Sequence, residues 1–459
     1  MTLEVDTIAA VATARGRGAL AVVRLSGPEA HDVLRALAPE AWRFPEARRS
    51  SLVALRDPAT RDPLDRAVVV RYDAPASFTG EDMVEISCHG GWLVPELILD
   101  ACLAAGARAA EPGEFTRRAY LRGKVDLVQA EAVNDLVEAR SRAFHRAAFQ
   151  QLERGLSARV GELRSRVVHL EALLTHHIDF PEEDDAPVSL ERIGVEAASV
   201  LEAMRRILAT APEGELLREG AVTVLAGLPN AGKSSLFNAL LGRERAIVTE
   251  EPGTTRDALE AVVELGGYPF RLVDTAGLRE ARDRVEKLGV EVARSYLKEA
   301  DLVLLCVEAG RIPGAAEGAF MNDVGEVPVV KVTTKVDTVG GSGHAASDRE
   351  EAWMGEVDTS VVTGEGLERL RALLPELVFR GLAEGDGSVP VLTRRRQARA
   401  LRDASEAVEA FAVALSDDVP PELAATHLRT AESAMEDLLG VVTVDEILDV
   451  VFGEFCFGK

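Results

Sequence analysis

The first third of the chain sets short apolar runs between polar spacers, with Ala-Leu-Ala-Val-Val-Arg-Leu at 19–25 and Ala-Val-Val-Val-Arg-Tyr at 67–72. Runs of that length, rich in valine, predict strands. From Pro95 to Ala105 the apolar positions recur at helical intervals, so residues 1–120 read as an α+β domain. At about Asp126 the period changes. Leu127, Ala130, Val133, Asn134, Leu136 and Val137 make a mostly apolar helical face, and Ala/Glu/Arg/Leu-rich stretches run on to about Leu208, broken by an acidic loop at 181–187. Then Val-Thr-Val-Leu-Ala at 222–226 reads as a buried strand and 235–241 as a helix. Strand-like runs at 270–273, 302–307 and 327–332 complete an alternating α/β unit, with a Gly/Ser-rich loop at 340–343. Helical composition returns after about Arg380 and lasts to Val451. The pattern predicts a multidomain α+β and α/β chain: an α+β domain (1–120), a first helical part (121–216), an inserted α/β module (217–379) and a second helical part (380–459). There is no internal repeat.

Composition narrows the class without naming it. At 459 residues, 47% hydrophobic and 28% charged, the chain is a globular protein of several domains. Its net charge of −24 opposes a broad polyanion-binding surface, so any RNA contact is expected to be local or shared with a partner. Cys88, Cys102, Cys306 and Cys456 have neither CxxC spacing nor a disulfide framework, which points to a reducing compartment and, for the first three, to buried packing. Glu4 and Asp6 stand where a secretory leader carries basic residues, and no apolar run reaches the roughly 18 residues of a membrane span. A cytoplasmic location with no membrane span is the expectation.

The chemistry is concentrated in Gly-Leu-Pro-Asn-Ala-Gly-Lys-Ser-Ser at 227–235, a phosphate-binding loop between a strand and a helix. Gly227 and Gly232 admit the phosphates, Asn230, Ala231, Gly232 and Ser235 line the cradle, Lys233 meets the β/γ-phosphates and Ser234 ligates Mg²⁺. Gly-Thr-Thr-Arg-Asp at 253–257 then offers Thr254 and Thr255 as Mg²⁺ ligand and γ-phosphate sensor. Asp274, Thr275, Ala276 and Gly277 end a strand with a carboxylate for the metal's outer shell and a glycine facing the γ-phosphate. Thr334, Lys335 and Asp337 form a base-reading motif, because a carboxylate accepts from both guanine N1–H and its exocyclic amine. Thr334 replaces the usual asparagine, and its hydroxyl keeps one of the amide's hydrogen bonds. Ser360, Val361 and Val362 resemble the last guanine-contacting loop or form an ordinary turn. Together these predict a Ras-like P-loop GTPase module. Leu278 stands where Ras-like enzymes carry a water-orienting glutamine; Glu286 is close enough in sequence to serve, or is a solvated helix residue.

In joint order these motifs resemble the MnmE (TrmE) family of bacterial tRNA-modification GTPases. The resemblance extends to Asp6–Thr13, Arg24–Gly27, Ser77–Glu85, Cys88–Gly91, Pro112–Thr116, Gly123–Ala132, Ile178–Glu183 and the terminal Cys456-Phe-Gly-Lys459. It implies an N-terminal folate-binding and dimerisation domain, and a homodimer that hydrolyses GTP with K⁺ stimulation when its nucleotide modules meet. It further implies work with the flavoprotein MnmG on the wobble uridine of certain tRNAs, adding an aminomethyl-type group at carbon 5 from a tetrahydrofolate (5-formyl or 5,10-methylene). Arg24, Glu85, Lys124 and Lys459 fall on its folate contacts. Asn230, Thr249, Glu251 and Thr254 fall on its K⁺ loop, Ser234 and Thr255 on its Mg²⁺ ligands, and Glu286 on its water-orienting glutamate. Cys456 is its candidate nucleophile or modification residue. The alternative is a ribosome-assembly or signalling GTPase switch without modification chemistry; the folate residues and terminal thiol discriminate, since a switch needs neither. His176, His177 and Asp179 read as a solvated helix end, and Arg394, Arg395 and Arg396 as a solvated helix start or a tRNA contact.

Overall fold

A computed structural model describes residues 6–179, 189–242, 260–274, 296–311, 324–339, 353–384, 389–417, 419–441, 448, 451–453, 455–456 and 458–459. By contacts the chain divides into residues 1–134 with 436–459, and residues 135–435.

The first unit is a six-stranded sheet with helices on one face. Its strands are β1 (Ile8–Val11), β2 (Leu20–Ser26), β3 (Ser51–Arg56), β4 (Pro63–Tyr72), β5 (Met83–His89) and β6 (Arg108–Ala109), in the order β3-β4-β5-β2-β1-β6. Only the β1–β6 pair is parallel among them. Alternate residues Val23/Leu25, Val53/Leu55, Ala67/Val69 and Val84/Ile86 are buried against α1 (Ala30–Leu37) and α2 (Val94–Ala104). The two-residue period then sends Arg24 and its cross-strand partner Glu85 to the other face. After α3 (Glu114–Leu121), α4 (Leu127–Glu138) begins; its Leu127 and Ala130 form a small core with Leu448, Val451, Phe452 and Phe455. The chain's end therefore belongs to this unit. Apolar residues of the last turns seat on α4, and Tyr120 hydroxyl donates to the Gly440 carbonyl.

The second unit contains helices α5 (Arg142–Leu152), α6 (Gly155–Asp179), α7 (Leu190–Leu208) and α8 (Ala211–Glu219), with Arg395–Ser416 packed on α7. Buried Val160, Leu163 and Val167 of α6, Val200 and Met204 of α7, and Leu401 and Phe411 mark their apolar faces. The nucleotide module follows α8 directly: β7 (Ala221–Ala226), α9 (Lys233–Leu241), β8 (Glu260–Leu265), β9 (Tyr268–Asp274), β10 (Leu302–Glu308), β11 (Val329–Thr334) and β12 (Gly355–Asp358). The sheet order is β12-β11-β10-β7-β9-β8, parallel except for the edge pair β8–β9. Both faces are covered, which is why β7 and β10 read as unbroken apolar runs. Ala221, Leu225, Leu302 and Leu304 enter one core, Val222, Val224, Val303 and Leu305 the other. No helix among the described residues is long and apolar enough to cross a membrane.

Candidate functional site

The carboxyl ends of β7, β9 and β11 meet at one edge of the nucleotide sheet, the place where open α/β sheets bind ligands. Gly227 has φ +137°, and a Cβ there would lie 2.4 Å from the Cys306 carbonyl, so any side chain would force the loop off β10. Gly232 opens α9 at φ +83°. Asn230 is also left-handed, at φ 64°, and its side chain stands exposed on the loop's rim. Lys233 is buried, and its Nζ donates to the carbonyls of Gly227 and Leu228, each at 2.9 Å. This ammonium is held inside the curl of the loop by the loop's own backbone.

Beside it, Ser234 Oγ donates to Asp274 Oδ2 at 2.6 Å. A hydroxyl and a buried carboxylate in contact form a hard-oxygen pair, the donor chemistry that Mg²⁺ selects. At the base end, Thr334 Oγ1 donates to the Ala231 carbonyl at 2.8 Å, tying the end of β11 to the phosphate loop. Here the shorter side chain keeps the bond that joins the two motifs. Lys335 is left-handed at φ 58° and pairs with Glu308 at 2.9 Å. Asp337 Oδ1 accepts from Ser360 Oγ at 2.6 Å, so the two segments expected to read the base are joined. Ser360 is fully buried, whereas Val361 and Val362 are exposed. Replacing Thr334 by valine removes one hydrogen bond and orphans a buried carbonyl, a loss of about 1–2 kcal/mol. GDP affinity should fall roughly 5- to 30-fold; an unchanged constant in a fluorescent-nucleotide titration would show that Thr334 does not hold the loop.

In the first unit, Arg24 donates to Glu85 Oε1 through Nε (3.2 Å) and Nη2 (2.8 Å), and through Nη1 to the Gly458 carbonyl at 3.3 Å. Tyr72 hydroxyl donates to the other oxygen of Glu85 at 3.2 Å. The Arg24 guanidinium also lies 5.8 Å and 5.7 Å from the rings of Phe78 and Phe115. Lys459 is brought to the same place: burial first, then the Arg24 charge, lowers its ammonium below the usual lysine value. Phe115 N–H donates to the Lys459 carbonyl at 3.0 Å, pinning the terminus. Lys124 donates to the Pro75 carbonyl at 3.0 Å and lines a cavity of about 380 Å³ with Arg48, Tyr72, Ser77 and Phe78. Cys456 is exposed, whereas Cys88, Cys102 and Cys306 are buried, which pushes their thiols up to about 11, 12 and 12. Their role is packing, as their sequence context implied.

Two models of protein families match the chain, "GTP-binding protein TrmE N-terminus" over residues 7–124 and "MnmE helical domain" over residues 127–456. The curated "tRNA modification GTPase MnmE" of Shouchella clausii is 38% identical over 462 residues, covering all of both chains. The protein of that name from Thiobacillus denitrificans is 41% identical, covering 99% of this chain and 98% of its own. The chain belongs to the MnmE family of tRNA-modification GTPases. Among solved structures, the G domain of the T. maritima FeoB iron transporter is 31% identical, covering 34% of this chain and 98% of that one at a TM-score of 0.27.

Several of this MnmE-family chain's expected site residues lie outside the described residues: Thr249, Glu251, Thr254, Thr255, Thr275, Ala276, Gly277 and Glu286. For the arginine triplet the expectation is corrected at Arg394 alone; Arg395 stays exposed at the first position of its helix, as a solvated helix start implies. Arg394 is buried and its Nη2 donates to the fully buried Asp135 at 2.6 Å, while Arg395 pairs with Glu215. Helix packing has drawn Arg394 onto a carboxylate that no local pattern announces, whereas the Arg395 pair lies at the surface. Removing one partner of the buried pair is expected to cost about 3–5 kcal/mol.

A buried ion network in the MnmE-type N-terminal unit was missed altogether. Arg118 donates to Asp6 (2.6 Å) and Glu114 (2.8 Å) and lies 3.4 Å from Glu81, which also accepts from Arg122 at 2.6 Å. Charged residues are usually solvated, so sequence offers no signal for such burial. Burial raises the Glu114 carboxyl, but hydrogen bonds from Arg108, the Glu111 amide and Arg118 outweigh it and hold the group below its ordinary 4.5. Asp6 behaves alike, burial being outweighed by Arg108 and Arg118. Lowered folded values mean that the stability they contribute is complete above the ordinary carboxylate range and is lost as pH falls through the folded values. Thermal unfolding should therefore move to lower temperature below about pH 4. Glu114→Gln should start less stable at pH 7 and decline less steeply; an identical acid slope would remove Glu114 as the source.

Proposed function

We propose that this chain is a K⁺-stimulated, dimerisation-activated GTP hydrolase that acts with the flavoprotein MnmG. Together they would install the (carboxymethyl)aminomethyl group at carbon 5 of the wobble uridine of certain tRNAs, using a tetrahydrofolate one-carbon unit. One observation carries the reading. A single chain holds a phosphate loop joined to a base-reading carboxylate, and separately an Arg24–Glu85–Lys459 cluster with an exposed thiol on the same terminal segment. A nucleotide switch alone requires only the first.

In this reading Lys233 and the loop amides hold the β/γ-phosphates, with Ala231, Gly232 and Ser235 in the cradle. Ser234 and Thr255 ligate Mg²⁺, with Asp274 behind them, and the bound ion neutralises charge that develops on the transferred phosphoryl group. Asn230, Thr249, the Glu251 carbonyl and Thr254 hold K⁺, while Thr275, Ala276 and Gly277 face the γ-phosphate and Glu286 orients water. Thr334, Lys335, Asp337 and Ser360 to Val362 hold guanine. In the N-terminal domain Glu85 accepts from the donor edge of the pterin, and Arg24, Lys124 and Lys459 face the folate's glutamate carboxylate. Cys456, exposed on the terminal segment, is the candidate nucleophile or modification residue. The domain boundaries at 120, 216 and 379 and the homodimer belong to the same proposal.

The test is mass analysis of tRNA wobble uridines in cells lacking this gene, with and without the chain restored. Loss of the modified uridine and its recovery are expected; unaltered uridines would favour a plain GTPase switch. In parallel, GTP turnover should rise when K⁺ replaces Na⁺, and equal rates would remove the ion from the mechanism.

A further inference from the structure

A second cavity, of about 470 Å³, lies within the second unit, away from the phosphate loop. That volume falls in the roughly 300–1,000 Å³ range of small-molecule sites. Its walls are the points where the chain enters and leaves the nucleotide sheet. Leu217 sits on α8, just before β7, and Leu382 follows the helix Leu367–Val378 at the module's exit. Glu213 clamps the two together, accepting from the amides of Gly381 (2.8 Å) and Leu382 (2.7 Å). That carboxylate is fixed by two backbone donors but keeps its charge, which acts on Tyr268, so an anionic end is placed at the arginine edge and away from Glu213.

The remaining lining divides by chemistry. Ala143, Ala147, Leu217, Leu382 and the ring of Tyr268, itself stacked on Phe379 at 4.7 Å, form the apolar part. Arg146, Arg206 and Gln150 form the polar part. Arg206 is held by Glu202 at 3.1 Å, but Arg146, exposed one turn along α5 from Gln150, makes no hydrogen bond or ion pair among the described residues. An uncommitted guanidinium at the edge of an apolar hollow selects a ligand with an apolar body and one anionic end.

We propose that this cavity binds a small amphipathic anion, an aromatic or alicyclic carboxylate, with its ring against Tyr268 and Leu217 and its charge at Arg146. The test uses the full chain and the anionic dye 8-anilinonaphthalene-1-sulfonate. Saturable fluorescence enhancement at one site is expected. Ala209→Trp places an indole over the cavity from the exposed end of α7, and Arg146→Glu reverses the charge at its edge. Each should weaken the dye at least tenfold while leaving GDP affinity and the unfolding temperature unchanged. Displacement by 2-naphthoate, at least tenfold more potent than by neutral 2-naphthol, is expected as well. Absence of saturable binding, or binding untouched by both substitutions, would overturn the site; equal potency of the acid and the alcohol would overturn the assignment to an anion.

Discussion

Asp337→Asn is expected to lower affinity for GTP and GDP by about 10²- to 10⁴-fold and to pass selectivity to xanthine nucleotides. The carboxylate offers two acceptor oxygens to two guanine donors, each a charge-assisted bond worth about 1.5–3 kcal/mol. An amide keeps one acceptor but turns an N–H₂ toward guanine's exocyclic amine, donor against donor. Xanthine carries a carbonyl at that position and accepts instead. The local structure makes the swap clean. Ser360 donates to Asp337 Oδ1 at 2.6 Å and would donate equally to an amide oxygen, so the side chain keeps its orientation. Competition between GTP and XTP for the purified variant checks it. A variant that still prefers GTP would mean that another group reads the base.

Gly458→Ala should stop tRNA modification while GTP turnover stays within twofold of the parent. Gly458 has φ +83°, and a Cβ there would lie 2.7 Å from Ala12 Cα and 2.8 Å from the Val11 carbonyl. A left-handed non-glycine residue costs roughly 1–2 kcal/mol before any clash, and here the obstacle is backbone on both counts. The tail would have to leave its seat. With it go the Gly458 carbonyl that accepts from Arg24, the Lys459 carbonyl that accepts from Phe115, and the Lys459 ammonium. Cys456→Ser leaves that seat intact and is expected to stop modification as well, with full GTPase activity. Should the serine variant still modify tRNA while the alanine variant fails, the segment would serve to position Lys459 and the thiol would have no chemical part.

How much of this was legible differs between the two units. In the nucleotide module each motif is a short run of consecutive residues, and the phosphate loop lies directly between β7 (Ala221–Ala226) and α9 (Lys233–Leu241). Thr334 was legible as a departure from the common motif, but not that its hydroxyl would reach the Ala231 carbonyl. In the N-terminal unit Arg24 and Glu85 were read through family resemblance, and only the β2–β5 register places them side by side. Periodicity assigns residues to faces; it does not say which residue lies opposite.

Sequence by itself determined the class of chemistry, the two kinds of sheet and the family, because glycine loops, apolar periods and motif order are local properties written in consecutive residues. Tertiary structure alone decided three things. It seated the last residues against the first sheet, it buried Arg118 and Arg394 among carboxylates, and it left a half-apolar hollow where the nucleotide module joins its helices. Each depends on pairs far apart in the chain, Arg24 with Gly458 or Asp135 with Arg394. The free energy of such a pair comes from desolvation and distance after folding, which no residue carries before its partner arrives.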